Sequence, residues 1–150
     1  MVAIETGDIE WDEDGALIRV RRRKTSTETR TYYIGPEASQ ALKAWLERAE
    51  ITEGPVFRSV SPGGNVKPSV LDTRDVRRIL KGLAERANIP HAESVSGHSL
   101  RVGMAQDLVA ADLDIAGIMQ AGGWASPTMV ARYSEKITAR RGAIARYYNR

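Results

Sequence analysis

Apolar and polar positions along this chain fall into two regimes. Over residues 16–22, Ala-Leu-Ile-Arg-Val-Arg-Arg, the pattern partly alternates, and residues 29–34, Thr-Arg-Thr-Tyr-Tyr-Ile, are rich in Thr and Tyr. Alternation puts successive side chains on opposite faces of a strand, and Thr and Tyr favour a pleated, half-buried surface. The two segments predict an antiparallel pair joined by the polar stretch Arg-Lys-Thr-Ser-Thr-Glu. Residues 8–12, with Gly15, predict a turn and a third short strand. Gly35-Pro36 stops the sheet, because proline lacks the N–H that a ladder needs yet fits the first turn of a helix. Beyond it Ala38, Leu42, Trp45, Leu46 and Ala49 recur at helical spacing and predict one amphipathic helix, closed by Gly54-Pro55.

The remainder reads mainly as helices. Val56-Phe57 is a short apolar segment before a loop at residues 61–65. Asp72 or Thr73 caps the next helix, whose stripe is Val76, Ile79, Leu80, Leu83 and Ala87, with Arg74, Arg77, Arg78 and Lys81 at other positions and Pro90 as its terminator. Ser96 caps a helix through about Ala111, and Asp114 caps a short one carrying Ile115, Ile118 and Met119 and ended by Gly122-Gly123. Ser126-Pro127 starts a helix reaching Tyr133, and a last helix covers about residues 139–148. The fold class predicted is α+β, mainly helical: a small antiparallel sheet with a β-hairpin packed on a helical bundle, in one domain.

Composition narrows the chemistry. The 150 residues contain no cysteine, which removes disulfides, thiolate metal sites and cysteine nucleophiles, and two histidines, His91 and His98, are too few for a histidine-rich metal site. No apolar run approaches the roughly 20 residues needed to span a bilayer, and no basic-then-apolar leader is visible. A cytoplasmic protein without a cofactor and without a membrane partner is the expectation. Net charge is only +3, from 22 basic and 19 acidic residues, but it is unevenly spread. Arg19, Arg21, Arg22, Arg23, Lys24 and Arg30 face one acid, Glu28, and Lys136, Arg140, Arg141, Arg146 and Arg150 have none among residues 136–150. Such segments favour a polyanion, DNA or RNA, against the plainer reading of a solvated mixed surface.

Four residues stand out together. His98 and Arg101, in Ser-Gly-His-Ser-Leu-Arg, share a face of a helix at its N-terminus, where free N–H groups favour an anion and a guanidinium fork matches phosphate oxygens. Such a pair stabilises charge growing on a phosphorus centre. Trp124 follows Gly-Gly, and Tyr133 follows Met-Val-Ala-Arg. Singly, each has a plain structural reading: a satisfied core histidine, a surface arginine, a packed indole, one of five tyrosines.

Jointly they carry a resemblance. Ser-Gly-His-Ser-Leu-Arg-Val-Gly-Met-Ala, then Ile-Met-Gln-Ala-Gly-Gly-Trp, then Met-Val-Ala-Arg-Tyr, with Trp124 following Arg101 by 23 residues and Tyr133 following Trp124 by nine, resemble the catalytic domain of tyrosine site-specific recombinases and phage integrases. The motifs cover residues 96–133, and weaker similarity extends over nearly the whole chain. The resemblance implies that Tyr133 attacks a DNA phosphodiester to form a covalent 3′-phosphotyrosine, releasing a 5′-hydroxyl. It implies that Arg101 contacts the nonbridging oxygens, His98 transfers a proton and binds phosphate, and Trp124 donates its indole N–H toward the phosphate. Lys24, between two strands, matches the lysine that protonates the leaving oxygen, with Arg22 or Arg23 as neighbouring registers. Double-stranded DNA is the implied partner, with Arg22, Arg23, Arg74 and Arg77 as further contacts. Other protomers are the second partner, in a synaptic tetramer joined through the C-terminal helix and its stripe Ala143, Ile144, Tyr147 and Tyr148.

One departure accompanies the match. The family's first catalytic arginine and its N-terminal DNA-clamping domain precede the segment that residues 1–9 resemble, so residues 1–150 are expected to be an incomplete C-terminal catalytic domain of impaired activity. Three other readings stay open: a noncatalytic DNA-binding remnant of the family, a type IB topoisomerase-like enzyme that relaxes supercoils, and a helical interaction domain unrelated to DNA.

Overall fold

The computed structural model describes residues 4–21 and 29–149. They form two compact units, Met1–Ile79 and Leu80–Arg150. In the first, β1 (Ile9–Asp12), β2 (Gly15–Arg21) and β3 (Thr29–Ile34) make an antiparallel sheet in the order β1-β2-β3, with Ile18 opposite both Ile9 and Tyr32. The alternation read from the sequence is real: Ala16 and Ile18 are buried, Leu17 and Arg19 exposed. The buried face meets α1 (Pro36–Arg48), and Ile18, Leu42 and Val56 form a core completed by Ile4, Ile9, Val20, Ile34, Trp45, Leu46 and Phe57. Helix α1 is rotated slightly from its predicted stripe. Ala38 is exposed, and Ser39 is buried instead, its hydroxyl donating to the Pro36 carbonyl at 2.9 Å.

The pattern of residues 58–70 predicts no strand, and here the structure differs. Strands β4 (Arg58–Val60) and β5 (Val66–Val70) pair across the 61–65 loop as a second, two-stranded sheet. Neither strand alternates cleanly, and β5 contains Pro68. Proline is tolerated because a two-stranded ribbon consists only of edges. Helix α2 (Thr73–Arg86) starts as predicted, with the Asp72 carboxylate accepting from the Arg74 N–H at 2.8 Å. It does not run to Pro90. Asn88 takes a left-handed conformation (φ 52°) and the Ile89 N–H returns to the Ala84 carbonyl, a closure that ends the helix chemically before proline ends it sterically.

In the second unit α3 (Gly97–Ala110), α4 (Ile115–Gly122) and α5 (Pro127–Arg141) pack pairwise around Ala105, Ile118, Trp124 and Val130. Each starts at its predicted cap: Ser96, Asp114 and Ser126 each accept a first-turn N–H. Helix α5 continues well past Tyr133, because residues 134–141 contain neither glycine nor proline. The break comes at Gly142, so the last helix, α6 (Ala143–Tyr148), is shorter than the predicted 139–148. Arg141 fastens the end of α5 to that of α3, donating to the Ala110 carbonyl and lying 3.7 Å from the Asp112 carboxylate. Among the described residues no helix is long and apolar enough to cross a membrane, and no group of three or more potential metal-ligating side chains occurs.

Candidate active site at the start of α3

Helix α3 begins with a reciprocal cap: the Ser99 N–H donates to the Ser96 hydroxyl, and the Ser96 N–H to the Ser99 hydroxyl at 3.2 Å. No acidic residue occupies the first turn, so the positive end of the helix dipole keeps no internal anion. His98 and Arg101 project from this end and are exposed. The plain reading of His98 as a core histidine is thereby removed.

Trp124 enters from the loop after α4, and its position depends on two glycines. Gly123 closes α4 in the left-handed region (φ 63°), turning the chain sharply. A Cβ on Gly122 would collide with the Trp124 ring, so only glycine leaves room for the indole to fold back on the helix. The ring is 9% exposed and belongs to the core. The packed reading of Trp124 holds, and the face of the ring is also part of the cluster. The Arg101 guanidinium lies over it, 4.6 Å from the ring centroid, a cation–π arrangement that restrains a side chain otherwise free in solvent.

Tyr133 comes from the second turn of α5 and is half-buried. Its ring stands edge-on to His98, with centroids 5.6 Å apart and planes at 77°, and tilts against Trp124 at 6.2 Å. Three chain segments thus bring His98, Arg101, Trp124 and Tyr133 into one cluster at a helix N-terminus. A phenol, an imidazole, an indole and a guanidinium side by side can supply a nucleophile, a proton carrier, a neutral donor and a fixed cation to one phosphate group.

Lys24, Arg22 and Arg23 fall outside the described residues. Arg74 and Arg77 are exposed on α2 within the first unit, where Arg74 pairs with Asp72 at 3.4 Å. One contact to the cluster went unread: the Gln106 side-chain amide donates to the Tyr133 backbone carbonyl at 3.0 Å. Its only signal in the sequence is an amide next to the small Ala105, a pattern too common to single out.

The structure superposes on XerH site-specific recombinase bound to palindromic difH substrate, with TM-score 0.73 and 18% identity over 99% of this chain and 40% of that one. It also superposes on XerA recombinase, with TM-score 0.70 and 21% identity over 93% of this chain and 50% of that one. This is the fold of a recombinase catalytic domain. The model of the phage integrase family matches residues 1–140, and the chain belongs to that family, the tyrosine recombinases. In sequence it is 33% identical to an integrase/recombinase XerD homologue of Selenomonas ruminantium over 114 residues, 75% of this chain and 33% of that protein. It is 29% identical to recombinase Cre of Escherichia phage P1 over 161 aligned positions, 95% of this chain and 46% of that protein. The chain therefore spans less than half the length of these relatives.

Proposed function

We propose that this chain carries the strand-cleaving centre of a DNA recombinase and acts through a covalent 3′-phosphotyrosine. The observation that carries the proposal is the convergence of Tyr133 with His98 and Trp124, and of Arg101 with Trp124, at one helix end. Family membership and the XerH complex with difH substrate support double-stranded DNA as the partner. In the reaction the Tyr133 oxygen bonds to phosphorus and the bond from phosphorus to the 5′-oxygen breaks. The phenolic proton leaves through His98, and Lys24 protonates the departing oxygen. Arg101 holds the nonbridging oxygens, and the Trp124 indole N–H donates to the same phosphate. The phosphotyrosine ester keeps the energy of the broken linkage, so attack by a 5′-hydroxyl restores the backbone without an external energy source.

Residues 1–150 are read as the catalytic part of such an enzyme. The family's first catalytic arginine has no assigned counterpart here, so cleavage is to be assayed with the segment that carries it supplied. The test is peptide mapping of the adduct formed on nicked duplex DNA. We expect the DNA on Tyr133 alone and no adduct from Tyr133→Phe. An adduct on Tyr147 or Tyr148 overturns the assignment, and DNA retention without any adduct favours a noncatalytic binding module. Relaxation of supercoiled DNA without site preference favours a topoisomerase.

The same reading assigns α6 to assembly. Ile144, Tyr147 and Tyr148 are 73%, 67% and 78% exposed, so the predicted apolar stripe lacks cover on the isolated chain. Truncation after Arg141 retains the contact to Ala110. Removing residues 142–150 is expected to leave the fold and half-site binding nearly intact and to reduce cooperative binding to paired sites sharply. Equal loss on half-sites and full sites, or unfolding by circular dichroism, refutes the assembly role.

A further inference from the structure

Helix α5 must hold Tyr133 in a fixed rotational and axial setting, because its phenol is a long lever and a small turn of the helix becomes a large displacement at the hydroxyl oxygen. Two of the restraints on that setting are visible in the core. Val130 is 1% exposed, and the Ser134 hydroxyl, also buried, donates back to the Val130 carbonyl at 2.8 Å. The third comes from α3. Ala105 is wholly buried, and its small side chain lets α3 and α5 approach closely. Beside it, the Gln106 amide reaches across to the Tyr133 carbonyl at 3.0 Å. Within a helix that carbonyl already serves the N–H four residues on, and its second lone pair is open to another donor. Gln106 thus spans the helix that begins with His98 and Arg101 and the helix that carries Tyr133, at the tyrosine itself.

We propose that Gln106 is a positioning residue for the reaction, fixing Tyr133 relative to His98 and Trp124 through the backbone of α5. The proposal rests on the reading of Tyr133 as the nucleophile. Gln106 touches no reacting atom. Its effect is to keep the phenol where it can meet a phosphate held by Arg101 and His98, and near-attack geometry of this kind governs rate far more than binding.

Two variants separate this from ordinary packing. Gln106→Met keeps length and volume but removes the donor. Gln106→Glu removes the donor at neutral pH and regains one, as a carboxylic O–H, when the side chain protonates at a pH of about 4–5. The full chain is labelled with 3-fluorotyrosine, and the Tyr133 fluorine resonance is assigned by its absence from Tyr133→Phe. We expect Gln106→Met to move that resonance toward those of the exposed Tyr147 and Tyr148, leaving Tyr32 and Tyr33 in place. Gln106→Glu should match Gln106→Met at pH 7 and return toward the wild-type position on acidification, with the wild-type chain titrated in parallel. On a pool of nicked duplexes of randomised sequence, with the segment carrying the first catalytic arginine supplied, adduct formation by Gln106→Met should fall about tenfold with unchanged retention of DNA. An unmoved Tyr133 resonance, or no return for Gln106→Glu, overturns the proposal. If Gln106→Met does not fold, Gln106→Glu decides alone. Absence of any Tyr133-dependent adduct from the wild-type chain refutes the nucleophile reading instead, while the fluorine spectra still report whether Gln106 holds the tyrosine.

Discussion

Each unit sets one tryptophan against its core, and the two are used differently. In the sheet-bearing unit Trp45 lies on α1 against the core of Ile18, Leu42 and Val56, and its indole N–H donates to the Val56 carbonyl at 2.8 Å. Its apolar body fills the core and its polar atom satisfies the backbone, so the residue is fully accounted for by structure. In the helical unit Trp124 is buried among Ala105, Ile118 and Val130, deeper than the half-buried Trp45, but its face carries Arg101 and its ring lies tilted against Tyr133. The surroundings of an indole packed on a core therefore separate roles that packing alone does not. One ring stabilises a fold, whereas the other is a rigid wall on which exposed polar side chains are arranged.

That contrast can be broken or sharpened by substitution. The largest effect belongs to Arg101→Ala. Removing a fixed cation from the phosphate should lower adduct formation by about 10²–10³-fold, while unfolding free energy changes by less than about 1 kcal/mol, since only an exposed cation–π contact is lost. Loss of stability comparable to the loss of rate would make the cluster a structural one. Next come the tryptophans themselves, compared as Trp45→Phe and Trp124→Phe. The first leaves the Val56 carbonyl without its indole donor and should destabilise by about 1–3 kcal/mol in denaturant titrations, with the adduct rate unchanged. The second keeps an aromatic ring in the core but removes the N–H offered to phosphate, and should lower the adduct rate about tenfold with a smaller loss of stability. Parallel behaviour of the two variants would show that Trp124 is only a core residue.

The smallest effect lies at the start of α2. The Arg74 backbone N–H, bonded to Asp72, holds that carboxyl below its ordinary value, against an opposing effect of desolvation and with help from the Arg74 guanidinium. A carboxyl lowered by folding stabilises the folded state above its unfolded pKa, and that contribution disappears as pH falls through the lower, folded value. Asp72→Ala should fray the first turn of α2, seen as faster amide exchange at Arg74, at neutral pH. The difference between variant and wild type should vanish in acid, once the pH lies below the lowered folded-state pKa of Asp72. A difference that persists there would mean the cap acts through something other than the carboxylate.

Much of the local structure was legible in the chain. Caps are short-range chemistry, and Ser96, Asp114 and Ser126 each start the helix they predicted. The Gly122-Gly123 stop is equally local, as is the β2–β3 pairing with its alternating burial. The β4–β5 ribbon was not legible, because two short edge strands, one containing proline, give no periodic signal. The pattern predicts α2 ending at Pro90, but a left-handed Asn88 stops it first, and it predicts α5 only to Tyr133, although no glycine or proline interrupts the helix before Gly142.

For the site, the sequence by itself determined the residue types, their spacing and the family whose motifs they match. Those properties are written in order along one strand of chain, and they survive in any conformation. What only the tertiary structure decided is how the side chains meet. Arg101 rests on Trp124, Tyr133 stands against His98, and Gln106 reaches the tyrosine's carbonyl, although these partners lie far apart in the sequence. Such contacts depend on how closely α3 and α5 approach across the small Ala105 and on the room that Gly122 leaves for an indole. Packing distances of this kind are set by the volumes of many side chains at once, and no local pattern encodes them.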